Sequence, residues 1–210
     1  SKFSLGFSYA SQEGIFGKPV ESNYGRYTAR VNSDHVLLKV RDFDAIKIGE
    51  TLNYSYTTKS GVSTGNIYSN SIHNLLTANP LMPLYDENGD YYDYYAKQRN
   101  GWNYDASAAN PIANTALSSQ GLNLSKSHNL QASAYVQIQP IKNLIFKSQF
   151  GYKMSANTYR SYDRIKKLSS TNETTTETVS QNAGLGASWT LDNTLAYKFT
   201  LNEHTFDMMV

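Results

Sequence analysis

Several groups of residues in this sequence have the types and spacing that chemistry needs. Gly61-Val62-Ser63-Thr64-Gly65 has the Gly-x-Ser-x-Gly spacing that presents a nucleophilic serine on a sharp turn between a strand and a helix. That turn belongs at the end of a buried parallel strand inside a strand–helix repeat, whereas the strand before Ser63 alternates apolar and polar residues. Nothing in the sequence pairs His73, His128 or His204 with an acid. A flexible Gly/Ser loop is the better reading, and no enzyme is expected. Asp86, Asn88, Asp90 and Asp93 space their oxygens in a faintly calcium-like way, but the bidentate Glu is missing and the glycine is misplaced. A turn is expected there. The four histidines are scattered without a His-x-x-x-His pair, His35 and His204 being assigned to short turns, so neither metal nor cofactor is expected.

The most suggestive cluster is aromatic. Tyr91, Tyr92, Tyr94, Tyr95, Trp102 and Tyr104 fall close together among Asn and Asp residues. Ring faces stack on sugars or peptide side chains while amides and carboxylates bond to polar groups, so these six are candidate substrate-binding residues. The competing expectation is that they pack a long loop against its neighbours, since long ordered loops need packing of their own.

The elements that carry these groups follow from composition and period. The chain has 210 residues, 17% charged and 40% hydrophobic, with 17 Tyr and 8 Phe. No apolar run approaches the ~20 residues of a spanning helix. The net charge of +2 offers no polybasic surface for nucleic acid. Zero Cys excludes disulfides, thiolate metal sites and cysteine nucleophiles. Both ends fall inside alternating patterns, Ser1 to Leu5 and Phe206 to Val210, so the sequence is expected to be a piece of a longer chain.

Period two dominates. Phe3, Leu5, Phe7 and Tyr9 share one strand face; Tyr27, Ala29 and Val31 the next; then Ile46, Ile48, Leu52, Tyr54 and Tyr56, with Glu50 unexplained on that apolar face. Leu130 to Ile138, Leu144 to Tyr152, Trp189 to Phe199 and Phe206 to Val210 give four more segments, for seven strands. Their apolar segments are about 9–11 residues long, which crosses a bilayer at the usual tilt. Connections alternate long and short without exception, an arrangement natural to an outer-membrane barrel and unexplained in a soluble sandwich. Phe7-Tyr9, Tyr54-Tyr56, Phe150-Tyr152 and Trp189 fall near one level, as an interfacial aromatic girdle requires, the alternative being that aromatics merely favour strands; the fourth strand, started at Leu130, leaves a gap in it. Within the long third connection, Asn70 to Leu76 reads as a short helix ended before Asn79-Pro80, and Leu84 to Tyr92 as a hairpin with an Asn88-Gly89 turn. Arg26, Arg30, Lys47, Lys147 and Lys153 fall on the polar faces, where pairing with plug or neighbouring-strand carboxylates is the first expectation and tuning of solute passage the second. Lys166-Lys167 with Arg160 and Arg164 are assigned to a long outer loop, as contacts for lipopolysaccharide phosphates or, equally, as a solvated charged loop. The fold class is therefore all-β: an antiparallel transmembrane β-barrel segment, about seven strands of a barrel of around 22, with long extracellular loops.

Several stretches carry a family likeness. Phe3 through Gln12-Glu13-Gly14-Ile15 to Asn23-Tyr24-Gly25-Arg26-Tyr27-Thr28 and Asn32-Ser33-Asp34-His35 resembles SusC/RagA-type TonB-dependent transporters of Bacteroidota. So do Ile46 through Tyr56, Asn110-Pro111-Ile112-Ala113, and the run from Asn193-Thr194-Leu195 to His204. The resemblance covers essentially the whole chain. It implies that residues 1–210 are part of a 22-stranded transporter barrel in the outer membrane, without its plug and remaining strands. It further implies a SusD-like surface lipoprotein as lid, TonB engaged through other segments, surrounding lipid and lipopolysaccharide, and import of oligosaccharides or peptides. The alternative is a soluble β-sandwich module that binds carbohydrate through the aromatic loop.

Overall fold

A computed structural model of the chain describes residues 1–15, 18–62, 64–65, 70–93, 109–119, 122–169 and 172–210. Seven strands form one antiparallel sheet in chain order: β1 (Lys2–Glu13), β2 (Asn23–Val40), β3 (Phe43–Ser60), β4 (Leu124–Ile141), β5 (Leu144–Asp163), β8 (Thr178–Leu201) and β9 (His204–Met209). Each strand pairs with the next, so the sheet is an open meander. A two-stranded ribbon, β6 (Lys166–Lys167) with β7 (Glu173–Thr174), decorates the β5–β8 connection, and helices α1 (Ser71–Leu76) and α2 (Pro111–Ser119) lie between β3 and β4.

Alternation in the sequence underestimates these strands. The segments expected at about 9–11 residues are 18 in β2, β3 and β4, 20 in β5 and 24 in β8. Period two is legible only where one face is apolar. Beyond that zone both faces turn polar, and Thr57 to Ser60 or Leu124 to Asn129 read as loop although their backbones stay in the ladder. The short connections shrink accordingly to two residues each: Arg41-Asp42, Lys142-Asn143 and Asn202-Glu203. Each carries one left-handed residue, φ 53° at Arg41, 67° at Asn143 and 55° at Asn202. Asparagine tolerates that region because its short amide bonds locally; at Arg41 the tight turn imposes it. Lys142 donates to Asp42 at 2.9 Å, tying two neighbouring turns, and that bond holds the Asp42 carboxyl below its ordinary pKa. His35, expected in a turn, is in mid-strand in β2, and His204 opens β9.

Register fixes which residues share a face. One apolar rung runs Leu5–Val31–Leu52–Ala132–Tyr152–Trp189, and another Phe7–Ala29–Tyr54–Leu130–Met154–Ala187. Above them Tyr9–Tyr27–Tyr56–His128 form a row with ring centroids 4.7, 6.4 and 4.7 Å apart, and Tyr54 Oη lies 2.7 Å from His128 Nδ1. The gap left in the aromatic row by starting the fourth strand at Leu130 is filled by His128. Tyr152 and Trp189 sit one rung below Phe7 and Tyr54, hence two below Tyr9. Strand tilt accounts for this: five strand steps of ~4.8 Å at a tilt of ~40° shift the level by about 15 Å, against about 10 Å for two rungs. A second aromatic group, Tyr197, Phe199 and Phe206, lies at the tight-turn end with centroids 5.5 and 5.1 Å apart. Tyr56 stands ten residue steps from Ile46 along β3, which makes an apolar band about 26 Å tall at ~40° tilt and ~3.4 Å per residue.

Glu50 lies inside that band. It accepts a 3.2 Å bond from Ser33 Oγ in the rung Phe3–Ser33–Glu50–Ala134–Phe150–Leu191, one rung from His35. The opposite face is mostly Ser, Thr, Asn, Gln and cationic residues, with a few acids such as Asp34 and Asp192, and it holds five of the six glycines in the sheet: Gly6, Gly49, Gly151, Gly184 and Gly186. Small residues on one face suit a curling sheet, whose inner side crowds. At Gly49 the Tyr135 ring crosses the bare backbone so that its hydroxyl reaches Asp34 Oδ1 at 2.5 Å.

A sandwich would cover the apolar face with a second sheet. Among the described residues that face is bare: Phe7 is 77% and Trp189 67% exposed, and the buried apolar side chains are Val20, Ala45, Tyr92, Ala113, Ala116 and Leu168. All but Ala45 belong to the long loops.

Candidate functional site

Two places bring candidate residues together: a cap of loops at the long-loop end and the polar face of the sheet. The cap is assembled by short polar signals. Asn70 caps α1, accepting from the Ile72 and His73 amides at 3.0 and 3.2 Å, so the helix expected over 70–76 forms. Helix α2 was not expected, although its signals are in the sequence. Asn110 Oδ1 accepts from the Ile112 and Ala113 amides at 3.1 and 3.2 Å, and Pro111 follows at the first helical position, which has no need of an amide hydrogen. The Asn110 amide also donates to Leu84 O at 2.9 Å, joining α2 to the hairpin. Lys166 reaches α2 from the ribbon, donating to Asn114 Oδ1 at 3.1 Å and Ser118 Oγ at 2.5 Å; burial pushes its pKa down, opposed by Asp163.

The hairpin expected over 84–92 is present. Tyr85 bridges to Tyr91, Asp86 N–H donates to Asp90 O at 2.8 Å, and Gly89 takes φ 84°. Asp86 Oδ1 accepts from the Asn88 and Asp90 amides at 2.9 and 3.0 Å. Asp86, the first of the residues with calcium-like spacing, thus uses its carboxylate to build a turn. Rings of Tyr85 and Tyr91 stack at 5.4 Å. They border a concavity of about 620 Å³ with Pro19, Val20, Leu84 and Ile112, flanked by Lys18 and Glu21.

Of the six aromatic candidates, Tyr94, Tyr95, Trp102 and Tyr104 lie outside the described residues, as does Ser63. Tyr92 is 2% exposed and packs inside the cap, while Tyr91 lines the concavity. The structure therefore joins Tyr91 with Tyr85, a partner that sequence reasoning missed. The signal was available, since the two residues occupy equivalent ends of the expected hairpin.

Basic residues divide by environment. Lys47 pairs with Asp44 at 2.9 Å, and Lys147 stands 4.6 Å over the Tyr135 ring. Lys167 lies 3.7 Å from Glu173, and Lys166 is held by α2. Arg30 Nε donates to Asn53 Oδ1 at 2.8 Å, which is a neutral partner, and Arg26 and Lys153 are exposed on the same polar face. Two features therefore emerge, an aromatic groove in the cap and a cationic stretch of the polar face of the sheet.

No family model and no curated protein matches the sequence. Solved structures do. The RagAB peptide importer in its "closed-closed" state matches 99% of the chain with TM-score 0.68 and 21% identity. The same importer in its "open-open" state gives 0.69 and 21%, and a structure described as the RagAB peptide transporter gives 0.67 and 20%. The chain spans only 22%, 21% and 22% of those chains. At such identity the likeness establishes fold: a sheet built like a stretch of a transporter chain.

Proposed function

We propose that this chain is part of the barrel wall of a TonB-dependent outer-membrane importer of the SusC/RagA type, taking up peptides or oligosaccharides. The observation that carries the reading is one continuous antiparallel sheet whose two-residue turns all lie at one end and whose long connections all lie at the other. Its apolar face matches the ~25 Å band of outer-membrane barrels and is bounded by aromatic rows. In lipid, backbone polar groups must pair internally, and a sheet closed into a ring achieves this while greasy side chains face hydrocarbon.

In that setting the cap faces outside. A SusD-like lipoprotein would close over it, and the Tyr85–Tyr91 groove would meet solute or lid. Lipopolysaccharide would contact Lys126 and Arg160, which lie on the apolar-face side of the strands beyond the girdle, in place of Lys166 and Lys167, which already have partners. The RagAB likeness favours peptides over oligosaccharides. TonB would act through segments other than these.

The test uses the full-length protein. It is expected in the outer-membrane fraction, and deleting its gene should abolish growth on the imported peptide or glycan while leaving growth on free amino acids or monosaccharides intact. Recovery of the protein from the soluble periplasm would refute the assignment.

A further inference from the structure

Five consecutive rungs of the polar face form a wall with one sign of charge. From the Ser4 rung to the Gln12 rung, β1, β2, β3, β4, β5 and β8 place thirty side-chain positions on that face, five rungs of six. Arg26, Arg30, Lys59 and Lys153 are among them, and no Asp or Glu is. The rest are Ser, Thr, Asn, Gln, Gly, Ala and Tyr. Acids stand on this face outside those five rungs: Asp34 and Asp192 one rung nearer the tight turns, where Asp34 already holds Tyr135, Asp207 opposite Lys198 further down, and Asp163 two rungs beyond Gln12 at the long-loop end of β5. All four cations are exposed, and none has a carboxylate partner among the described residues.

Their levels are set by the aromatic row. Arg26 and Lys153 adjoin Tyr27 and Tyr152 in sequence, so both stand at the girdle. Lys59 lies three residues beyond Tyr56, and Arg30 four residues deeper than Arg26. The Arg30–Asn53 bond aims that guanidinium along the rung toward Gln131 and Lys153. A row of like charges descending a wall between low-dielectric layers focuses its field into the space it faces. Three strand steps separate Arg30 from Lys153, about 14 Å, which four residues of extended peptide span at ~3.5 Å each.

We infer that this wall is the anion-selective entry of the importer, recognising peptides that carry Asp or Glu side chains. Their carboxylates would pass successively to Lys59, then Arg26 and Lys153, then Arg30, while the surrounding hydroxyls and amides bond to the peptide backbone without regard to sequence. The inference rests on the import reading above and adds a charge preference to it.

The experiment uses the full-length importer with its lid lipoprotein, and three labelled peptides of equal length carrying net charge −3, 0 and +3. The acidic peptide should bind most tightly, and raising NaCl from about 50 to about 500 mM should weaken only its binding. Arg26→Gln, Arg30→Gln and Lys153→Gln should each weaken the acidic peptide about fivefold, the size expected of one exposed charge pair, and leave the neutral peptide unchanged. Unchanged neutral binding also reports that each variant is folded. Equal binding of all three peptides would overturn the charge preference while sparing the importer. Loss of thermal stability in the variants with no change in preference would overturn it too, assigning the cations to partners elsewhere in the barrel. If no peptide of any charge binds or enters, the import reading itself falls.

Discussion

At the scale of single residues, Gly49 shows what the polar face cannot accommodate. A Cβ there would run into the Tyr135 ring and the Asp34 carboxylate, whereas one at Gly6 meets nothing within 4 Å. Gly49→Ala should cost about 1–3 kcal/mol by overpacking. Gly6→Ala should be neutral or stabilise by up to about 1 kcal/mol. Urea unfolding of the refolded barrel compares the two, and equal effects would contradict the Tyr135–Gly49 packing. Asn110 is the corresponding residue in the cap, because it caps α2 and holds Leu84. Asn110→Ala should loosen the cap by about 1–2 kcal/mol, read as faster proteolysis within residues 84–119 while the barrel stays intact. Lys166 adds a pH dependence. Its folded pKa lies below the ordinary 10.5, so between the two values the folded cap binds fewer protons than the unfolded loop. Its contribution to cap stability therefore rises with pH through that window and is lost as pH falls below it. Cap proteolysis, measured relative to Lys166→Gln, should slow as pH rises toward 10.5.

At the scale of the element, β4 offers the sharpest test of faces, because adjacent residues point opposite ways. Ala132 lies between Leu52 and Tyr152 on the apolar face, and Gln131 between Asn53 and Lys153 on the polar one. Ala132→Arg should cost about 2–4 kcal/mol if that face meets the bilayer core, whereas Gln131→Arg should cost little. Ala134→Arg is a third case on the same strand: Glu50 is directly opposite and would partner the new guanidinium, so its cost should fall below that at Ala132. Refolding titrations in lipid vesicles rank the three. Identical costs at 131 and 132 would reject the face assignment, and identical costs at 132 and 134 would reject a role for Glu50. The tight turns belong to this scale too: two residues leave no slack, so they fix register, and a one-residue slip would carry every ring of the girdle to the other face.

At the scale of the whole molecule, the sheet is open. Its first and last strands, β1 and β9, present backbone edges, and its apolar face is uncovered among the described residues. Such an object is not stable alone in water: unpaired edges invite further strands and the apolar face invites association. The 210 residues expressed by themselves should aggregate, and in the full-length protein a carbene probe dissolved in lipid should modify Leu5, Ala132 and Val136 while sparing Ser133 and Gln137. Reversed labelling would invert the barrel. The buried side chains of the cap, with Ala113 and Ser169 fully enclosed, make the cap the compact part of the chain, resting on β5 through α2. A cap with its own core can carry a groove such as that at Tyr85 and Tyr91 without support from the strands.

The sequence by itself determined the number of strands in the main sheet, their order of long and short connections, and which face is apolar, because period two records directly which side chains avoid water. It also contained the short helix over 70–76 and the hairpin at Asn88-Gly89, whose caps and turn residues act over a few positions. It left the strand ends, the place of His128, the partner of Glu50 and helix α2 unread. The strands run on where both faces are polar and alternation carries no signal, and Glu50 is explained only by Ser33, seventeen residues away across a strand pair. Tertiary register alone decided that Tyr92 is buried while Tyr91 lines a groove, and that Arg26, Arg30, Lys59 and Lys153 gather on a wall without acids. Those facts depend on which residues of different strands stand opposite one another, and that is set by pairing across the sheet, which no single strand's pattern contains.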